Sequence, residues 1–366
     1  MTSGPIRLGM IGCGLISHAH GRAARKSQHE VSFVACMSRT MKSANAWADE
    51  YGCQQVYDDL EKMLIAQELD GVVIASWPTV HCEQILACIN AGIAYILCEK
   101  ALVTNSGEAL QVWRAARQTG ATVVEAYMYR HHPSIRRLGQ LFVDDNNGPL
   151  DSIHAVFNML DETRLDSPAD SWRRRSDAGG GVAYDFLCYP VDAACHFAGA
   201  LPTSAQASAS YGPHGTIDRL TGLLEFANGV FATVESSRHA CLGQRLELRF
   251  ANATLSLPFA WSPPGKTSID VSSSRGFLKN ESRSETIDAE EQHDGRLVDF
   301  PVFTRQMDNF VDVIQGRADP LVGVEGAVIN ALVIDALLAS VESGKRVAIN
   351  VPAEFQQQGF VRSNLL

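Results

Sequence analysis

Three short stretches carry the residue types that chemistry needs. The segment GGGVAYDFLCYPVD, residues 179–192, sets Asp185, Tyr189 and Asp192 at i, i+4 and i+7. In a helix that follows the glycines, all three would share one face, a polar stripe on an otherwise buryable surface. The plainer alternative is that the glycines free a loop and Asp185 caps the helix after it. The second stretch, YILCEKALVTN, ends an apolar run with Glu99 and Lys100. Neighbours on a strand point to opposite faces, so one of the pair can enter a crevice above a sheet while the other is fixed elsewhere; a structural salt bridge is the competing reading.

The third stretch is GMIGCGLISHAH near the N-terminus. Gly12 and Gly14 occupy the first two glycine positions of a dinucleotide fingerprint, and Ser17 takes the third. Such a turn between a first strand and a first helix lets the backbone near Gly12, Gly14, Leu15 and Ile16 approach a pyrophosphate, whose charge the helix dipole favours. About 20 residues on, where an NAD site places an acid on the ribose 2'-hydroxyl, stands CMSRT, with no carboxylate. Ser38 and Arg39 suit a 2'-phosphate instead, since a guanidinium matches phosphate geometry. NADP is therefore the expected cofactor, with NAD as the alternative; a solvated Arg39 at a helix start is the bland reading.

Positioning these residues takes alternating elements. Strand-like runs at 6–11, 31–37, 71–76, 94–99 and 121–127 alternate with helical segments such as SANAWADEYG, which closes on Gly52, and CEQILACINAG, which closes on Gly92. That pattern predicts a doubly wound parallel sheet over residues 1–127. From 128 to 366 the texture changes to antiparallel strands, with the Asn-Gly of FANGV marking a hairpin. Two helices are expected near 303–343, packing back on the first domain, and exposed loops or short edge strands over 261–300. The fold class is α/β with a C-terminal α+β domain.

The chain has 366 residues, 46% hydrophobic content and a net charge of −10, ordinary for a two-domain globular protein. The negative charge opposes nucleic acid or anionic membranes as partners. Nine cysteines without paired spacing point to reduced thiols, with Cys82 and Cys88 in the core. His18, His20, His131 and His132 lack a carboxylate or thiol at ligand spacing, so no metal is expected. No run is read as a membrane span or a leader, and a cytoplasmic location is expected.

Taken in order, GMIGCGLISHAH, ASWPTVHCEQILACINAGIAYILCEKALVTN, YMYRHHP and GGGVAYDFLCYPVDAACHFAG resemble the Gfo/Idh/MocA family of nicotinamide-dependent oxidoreductases over nearly the full length. The resemblance implies a Rossmann domain followed by a domain whose open sheet lines the substrate site and often mediates dimerisation. A homo-oligomer, dimer or tetramer, follows from it. It marks Lys100 as the active-site lysine and Asp185 as the substrate-binding aspartate, with Tyr189 where many members carry a catalytic histidine. Trp77, Pro78, His81 and Glu99 fall among its cofactor contacts, and Arg130, Trp172 and Arg173 near nicotinamide or substrate. Departures are Ala101 for the usual proline, expected to loosen the backbone there, Leu187 for a frequent glycine, and Pro190, which would kink a continuous helix.

A free phenol, with a pKa near 10, is a poor base at neutral pH. An ammonium about 4 Å away at an effective dielectric of about 20 contributes roughly 4 kcal/mol, enough to lower that value by about three units before desolvation opposes it. Tyr189 beside Lys100 would then take a hydroxyl proton as hydride leaves the same carbon, and return it in reduction. The function implied is hydride transfer between NADP or NAD and a sugar, polyol or related hydroxy compound. A glycosidase using transient oxidation and a nicotinamide-binding sensor without turnover are the alternatives.

Overall fold

In the computed structural model, described over residues 4–66, 68–160, 172–274, 280–289 and 301–356, the N-terminal alternation becomes a single parallel sheet. Its elements run β1 (Ile6–Ile11), α1 (Ser17–Lys26), β2 (Val31–Met37), α2 (Met41–Tyr51), β3 (Gln55–Tyr57), α3 (Leu60–Ala66), β4 (Gly71–Ile74), α4 (Pro78–Asn90), β5 (Tyr95–Glu99), α5 (Ser106–Thr119) and β6 (Thr122–Ala126). The strand order is β3-β2-β1-β4-β5-β6, with every pairing parallel. The order reverses between β1 and β4, so the carboxyl ends of these two strands flank the crevice where such sheets take their ligands. β4 is buried at every position, as a strand covered on both faces must be.

Two features of this sheet differ from the sequence expectation. β3 and α3 are additional, because a strand of three residues offers no periodicity to read. Helix α1, which the sequence suggests from Leu15 onward, begins at Ser17, since the glycine turn continues through residue 16. Gly52 closes α2 in the left-handed conformation, as a glycine after a helix should.

The second half supplies α6 (Pro133–Phe142), β7 (Leu150–Asn158), a π-helical turn at Ala183–Leu187, α7 (Cys188–Ala198), β8 (Pro202–Tyr211), β9 (Ile217–Phe226), β10 (Phe231–Ser237), β11 (Leu246–Phe250), β12 (Ala253–Leu257), β13 (Lys266–Ser274) and β14 (Asn280–Asp288). With β15 (Val347–Ala348) these make a nine-stranded sheet, ordered β14-β13-β12-β11-β7-β10-β9-β8-β15. Only β7 with β10 pairs in parallel. β9 and β10 are joined at the Asn-Gly turn, where Gly229 has φ 85°. Along β9, buried and exposed positions alternate, so one face packs on helices and the other is open.

The polar stretch after residue 260 holds more structure than expected. β13 and β14 are nine residues each, Ile269 is fully buried, and the indole of Trp261 donates to the Val156 carbonyl at 2.7 Å. An edge strand with solvent on one face lacks the apolar alternation that would announce it. Part of that stretch, 275–279 and 290–300, lies outside the described residues.

Helix α8 (Val302–Ile314) and α9 (Val324–Ser343) complete the chain, apart from a short helix, α10 (Ala353–Gln356). Contacts divide the molecule into Met1–His131 with Gln292–Ala327, and His132–Glu291 with Val328–Leu366. In the first unit α8 packs on α1, its Phe303 ring edge-on to His20 at 5.7 Å. The reading that no segment has the make-up of a membrane span needs correction. α9 has 20 residues and is long and apolar enough to cross a membrane, yet most of its apolar stretch is buried. Within the second unit Leu337 presses on Gly222 of β9, where an added Cβ would clash with its methyl group, so the apolar run is a core helix. All nine cysteines are free thiols. Burial pushes Cys88 up to about 12 and Cys82 up to about 11, which leaves both unreactive.

Candidate active site

In the first unit the glycine turn sits where the sheet order reverses. Gly12 has φ 91°, and a Cβ there would meet the Ser76 amide nitrogen at 2.8 Å, so only glycine lets the end of β1 pass the end of β4. Around Gly14 no atom lies within 4 Å of a built Cβ, and Leu15 is 69% exposed. The start of α1 has no side-chain cap and no acidic residue in its first turn. An open cradle over an uncompensated positive helix end fits a pyrophosphate. Ser17, at the third fingerprint position, is buried and its hydroxyl donates to the Gly14 carbonyl at 2.5 Å, which holds the turn.

Ser38 follows β2, its amide donating to the Tyr57 carbonyl at 3.2 Å. Arg39 is exposed, with its guanidinium over the Trp77 ring at 4.9 Å. Stacking fixes the plane of the guanidinium while leaving its edge available to a ligand. Trp77 and Pro78 begin α4, which brings the helix start and the Arg39 stack together.

Lys100 stands half-buried at the carboxyl end of β5, on the same edge of the sheet as the glycine turn. Glu99 points the other way, into the interior, with Oε1 2.8 Å from His20 Nε2. His20 is the partner that sequence reasoning did not assign to it; only a match between two distant buried polar residues could have hinted at it. The carboxylate is thus spent on an internal pair, so Glu99 supports the strand end from beneath.

His81 is fully buried, its Nδ1 3.0 Å from the Ala101 carbonyl and its Nε2 3.2 Å from the Ser76 carbonyl. Burial pushes the imidazole below its usual value, so the ring is neutral and one nitrogen donates. Its two nitrogens are occupied by main chain at the ends of β4 and β5. His81 therefore braces the backbone under Lys100, and Ala101, where the family usually has proline, is buried and held through its carbonyl. Arg130 is buried on the turn Met128–His131, over the Tyr129 ring at 6.0 Å.

The second unit holds Asp185 on the π-helical turn, 2% exposed. Arg173 Nε donates to Asp185 Oδ2 at 3.0 Å, and Arg238 Nη2 donates to the same oxygen at 3.3 Å. The Arg173 guanidinium stacks over Trp172 at 4.8 Å. Arg238 lies 53 residues from Asp185 and no local pattern pointed to it. Tyr189 opens α7 and is 7% exposed, its ring 5.4 Å from Phe157 and 6.2 Å from Trp261.

The extra residue of the π turn changes the helical register. Asp192 Oδ1 accepts from Asn330 Nδ2 of α9 at 3.3 Å. Pro190 is the third residue of α7, which follows the π turn without a break, so the N–H it lacks falls at the junction of π turn and helix. No group of His, Cys, Asp and Glu that could hold a metal occurs among the described residues. His18 faces Glu50 at 3.0 Å, and His132 caps α6 by accepting from the Ser134 amide at 3.1 Å.

Residues 6–127 match the oxidoreductase family with an NAD-binding Rossmann fold, and residues 135–256 match the Gfo/Idh/MocA C-terminal domain. The chain belongs to the Gfo/Idh/MocA family. This member is an NAD(P)-dependent oxidoreductase. It is 28% identical over 330 residues to D-xylose 1-dehydrogenase (NADP(+)) 2 of Haloferax volcanii, covering 90% of this chain and 94% of that one. To the D-glucoside 3-dehydrogenase of Escherichia coli K12 it is 25% identical, over 95% and 99% of the two chains. Among solved structures, levoglucosan dehydrogenase in complex with NADH and levoglucosan superposes with a TM-score of 0.83 at 18% identity, over 95% of this chain and 100% of that one. At such identity the superposition speaks for the fold shared across the Gfo/Idh/MocA family.

Proposed function

We propose that this Gfo/Idh/MocA member transfers a hydride between NADP and a carbinol or carbonyl carbon of a sugar or polyol. The observation that carries the reading is Lys100, half-buried at the carboxyl edge of the parallel sheet that also bears the Gly12–Gly14 turn. The bound nicotinamide supplies the hydride acceptor or donor. By the family resemblance, Lys100 and Tyr189 are the residues assigned to the substrate hydroxyl, the phenolic oxygen taking the proton in oxidation and returning it in reduction. Asp185 accepts hydrogen bonds from neighbouring hydroxyls. Named relatives that oxidise xylose and glucosides support the substrate class.

The preference for the 2'-phosphorylated cofactor rests on Arg39 and Ser38, with no carboxylate at the end of β2, and on the NADP(+)-linked xylose enzyme. In this reading the protein is cytoplasmic and dimeric, with Leu223 and Phe231 on the open sheet face as outward apolar contacts. Screening sugars, polyols and sugar acids spectrophotometrically with NADP and NAD in parallel tests the function. Turnover of one substrate group with NADP is expected; cofactor binding without turnover on any of them would sink it.

A further inference from the structure

We propose that Arg238 is a positioning residue for Asp185, setting the carboxylate in the orientation that receives substrate. The inference rests on Asp185 binding substrate as described above.

Arg238 follows the last residue of β10 and is 7% exposed. Its Nη1 donates to the Arg173 carbonyl at 3.0 Å, and its Nη2 donates to the Gly181 carbonyl at 3.3 Å and to Asp185 Oδ2 at 3.3 Å. The guanidinium also lies over the Phe186 ring at 5.6 Å. One side chain thus joins the turn that carries Trp172 and Arg173, the glycine run, and the π turn itself.

Burying a guanidinium is a poor device for stability alone, because desolvation offsets the attraction. Here the compensation is incomplete: the buried Nε has no hydrogen-bond partner among the described residues. What the arrangement does provide is registration. A π turn is less favourable than the α-helix it interrupts and persists where surrounding contacts enforce it. Gly181, with φ 101° and a Cβ position 3.0 Å from the Ile217 carbonyl, fixes where the turn begins. Arg238 grips the carbonyl of that glycine and the side chain four residues on, so the direction of Asp185 is tied to the rigid end of β10 rather than to the loop before it. Arg173, 28% exposed at its side chain, reaches the same oxygen from the opposite, more open side. The two cations divide the labour: Arg238 anchors, and Arg173 keeps further N–H groups for a ligand.

The test uses the full chain with the best substrate of the screen, in the variants Arg238→Ala, Arg238→Lys, Asp185→Asn and the Asp185→Asn, Arg238→Ala double replacement. R238A should lose about 100-fold in kcat/KM, the scale of a misplaced catalytic constellation, while its affinity for NADP stays within about threefold of wild type. Millimolar guanidinium should restore part of the R238A rate, whereas sodium at the same ionic strength should not; a merely structural loss would not respond. R238K, which cannot reach all three acceptors, should fall between, and it decides the matter if R238A does not fold. The double variant should be no worse than D185N alone. Wild-type kcat/KM in R238A or R238K, or additive losses in the double variant, would overturn the positioning role while leaving Asp185 in place. Wild-type rates in D185N would overturn the reading beneath it.

Discussion

Gly12 and Asp185 occupy comparable places, each beside a glycine-bearing turn that feeds a helix, yet different forces confine them. Around Gly12 the constraint is steric and made of backbone: a positive φ, and main chain at 2.8 Å from any added Cβ. Around Asp185 it is ionic and made of side chains, two guanidiniums on one carboxylate oxygen. The proposed pyrophosphate site is thus cast in backbone, whereas the proposed substrate site is built from side chains, which substitution can alter without disturbing the fold.

Lys100 is the exception that most directly tests this contrast, a charged side chain in the backbone-built unit for which a chemical role is proposed. Lys100→Met should cut kcat by about 10³-fold while leaving the dissociation constant for NADP nearly unchanged, measured by steady-state kinetics and by fluorescence titration. A near-normal rate would remove the lysine from the mechanism. Gly12→Ala should do the reverse. A strained φ with a backbone clash costs about 1–3 kcal/mol, so NADP affinity should weaken roughly 10- to 100-fold, and saturating cofactor should recover most of kcat. Affinity unchanged in that variant would mean the cofactor does not use the turn.

Between these extremes lies Arg39→Asp, which alters charge at the rim of the cofactor site. Its expected outcome is a swing of about tenfold or more in the ratio of NADP to NAD efficiency, toward NAD; an unmoved ratio would leave the 2'-phosphate without its partner. The smallest effect concerns His81. Its folded-state value is depressed by burial, so its contribution to stability is fully present above the ordinary value of 6.5 and is lost as pH falls below it, because the unfolded chain binds the proton first. The melting temperature should therefore drop as pH goes from about 7 to about 5, and His81→Leu should flatten that slope by roughly a few degrees. An identical slope in the variant would mean that other groups set it.

How far these features could be read from the sequence follows the same division. The strand, turn and helix around Gly12 are local, and adjacent residues announce them. Lys100 was legible because it ends an apolar strand. Arg238 was not, since its three acceptors lie 53 to 65 residues away and its own neighbours, VESSRHA, carry no pattern. The π turn was read as ordinary helix because AYDFL has no signature for the extra residue. β3 was too short to show, and the stretch 261–300 was read as loops or short edge strands, whereas β13 and β14 run nine residues each. His81 and Glu99 were read as neighbours of the cofactor; their partners here are buried main chain and a distant imidazole, which composition does not reveal.

The two ends of the nine-stranded sheet are finished in different ways. At one end β15 is a mere two residues, too short to template another strand; at the other β14 reads NESRSETID, exposed along most of its length and studded with charge. Both rims are thereby closed to end-on growth by backbone pairing, one by lack of length and the other by electrostatic repulsion. For a protein with so wide a sheet, that would direct the proposed dimer to the broad open side, away from any edge that could grow into fibres.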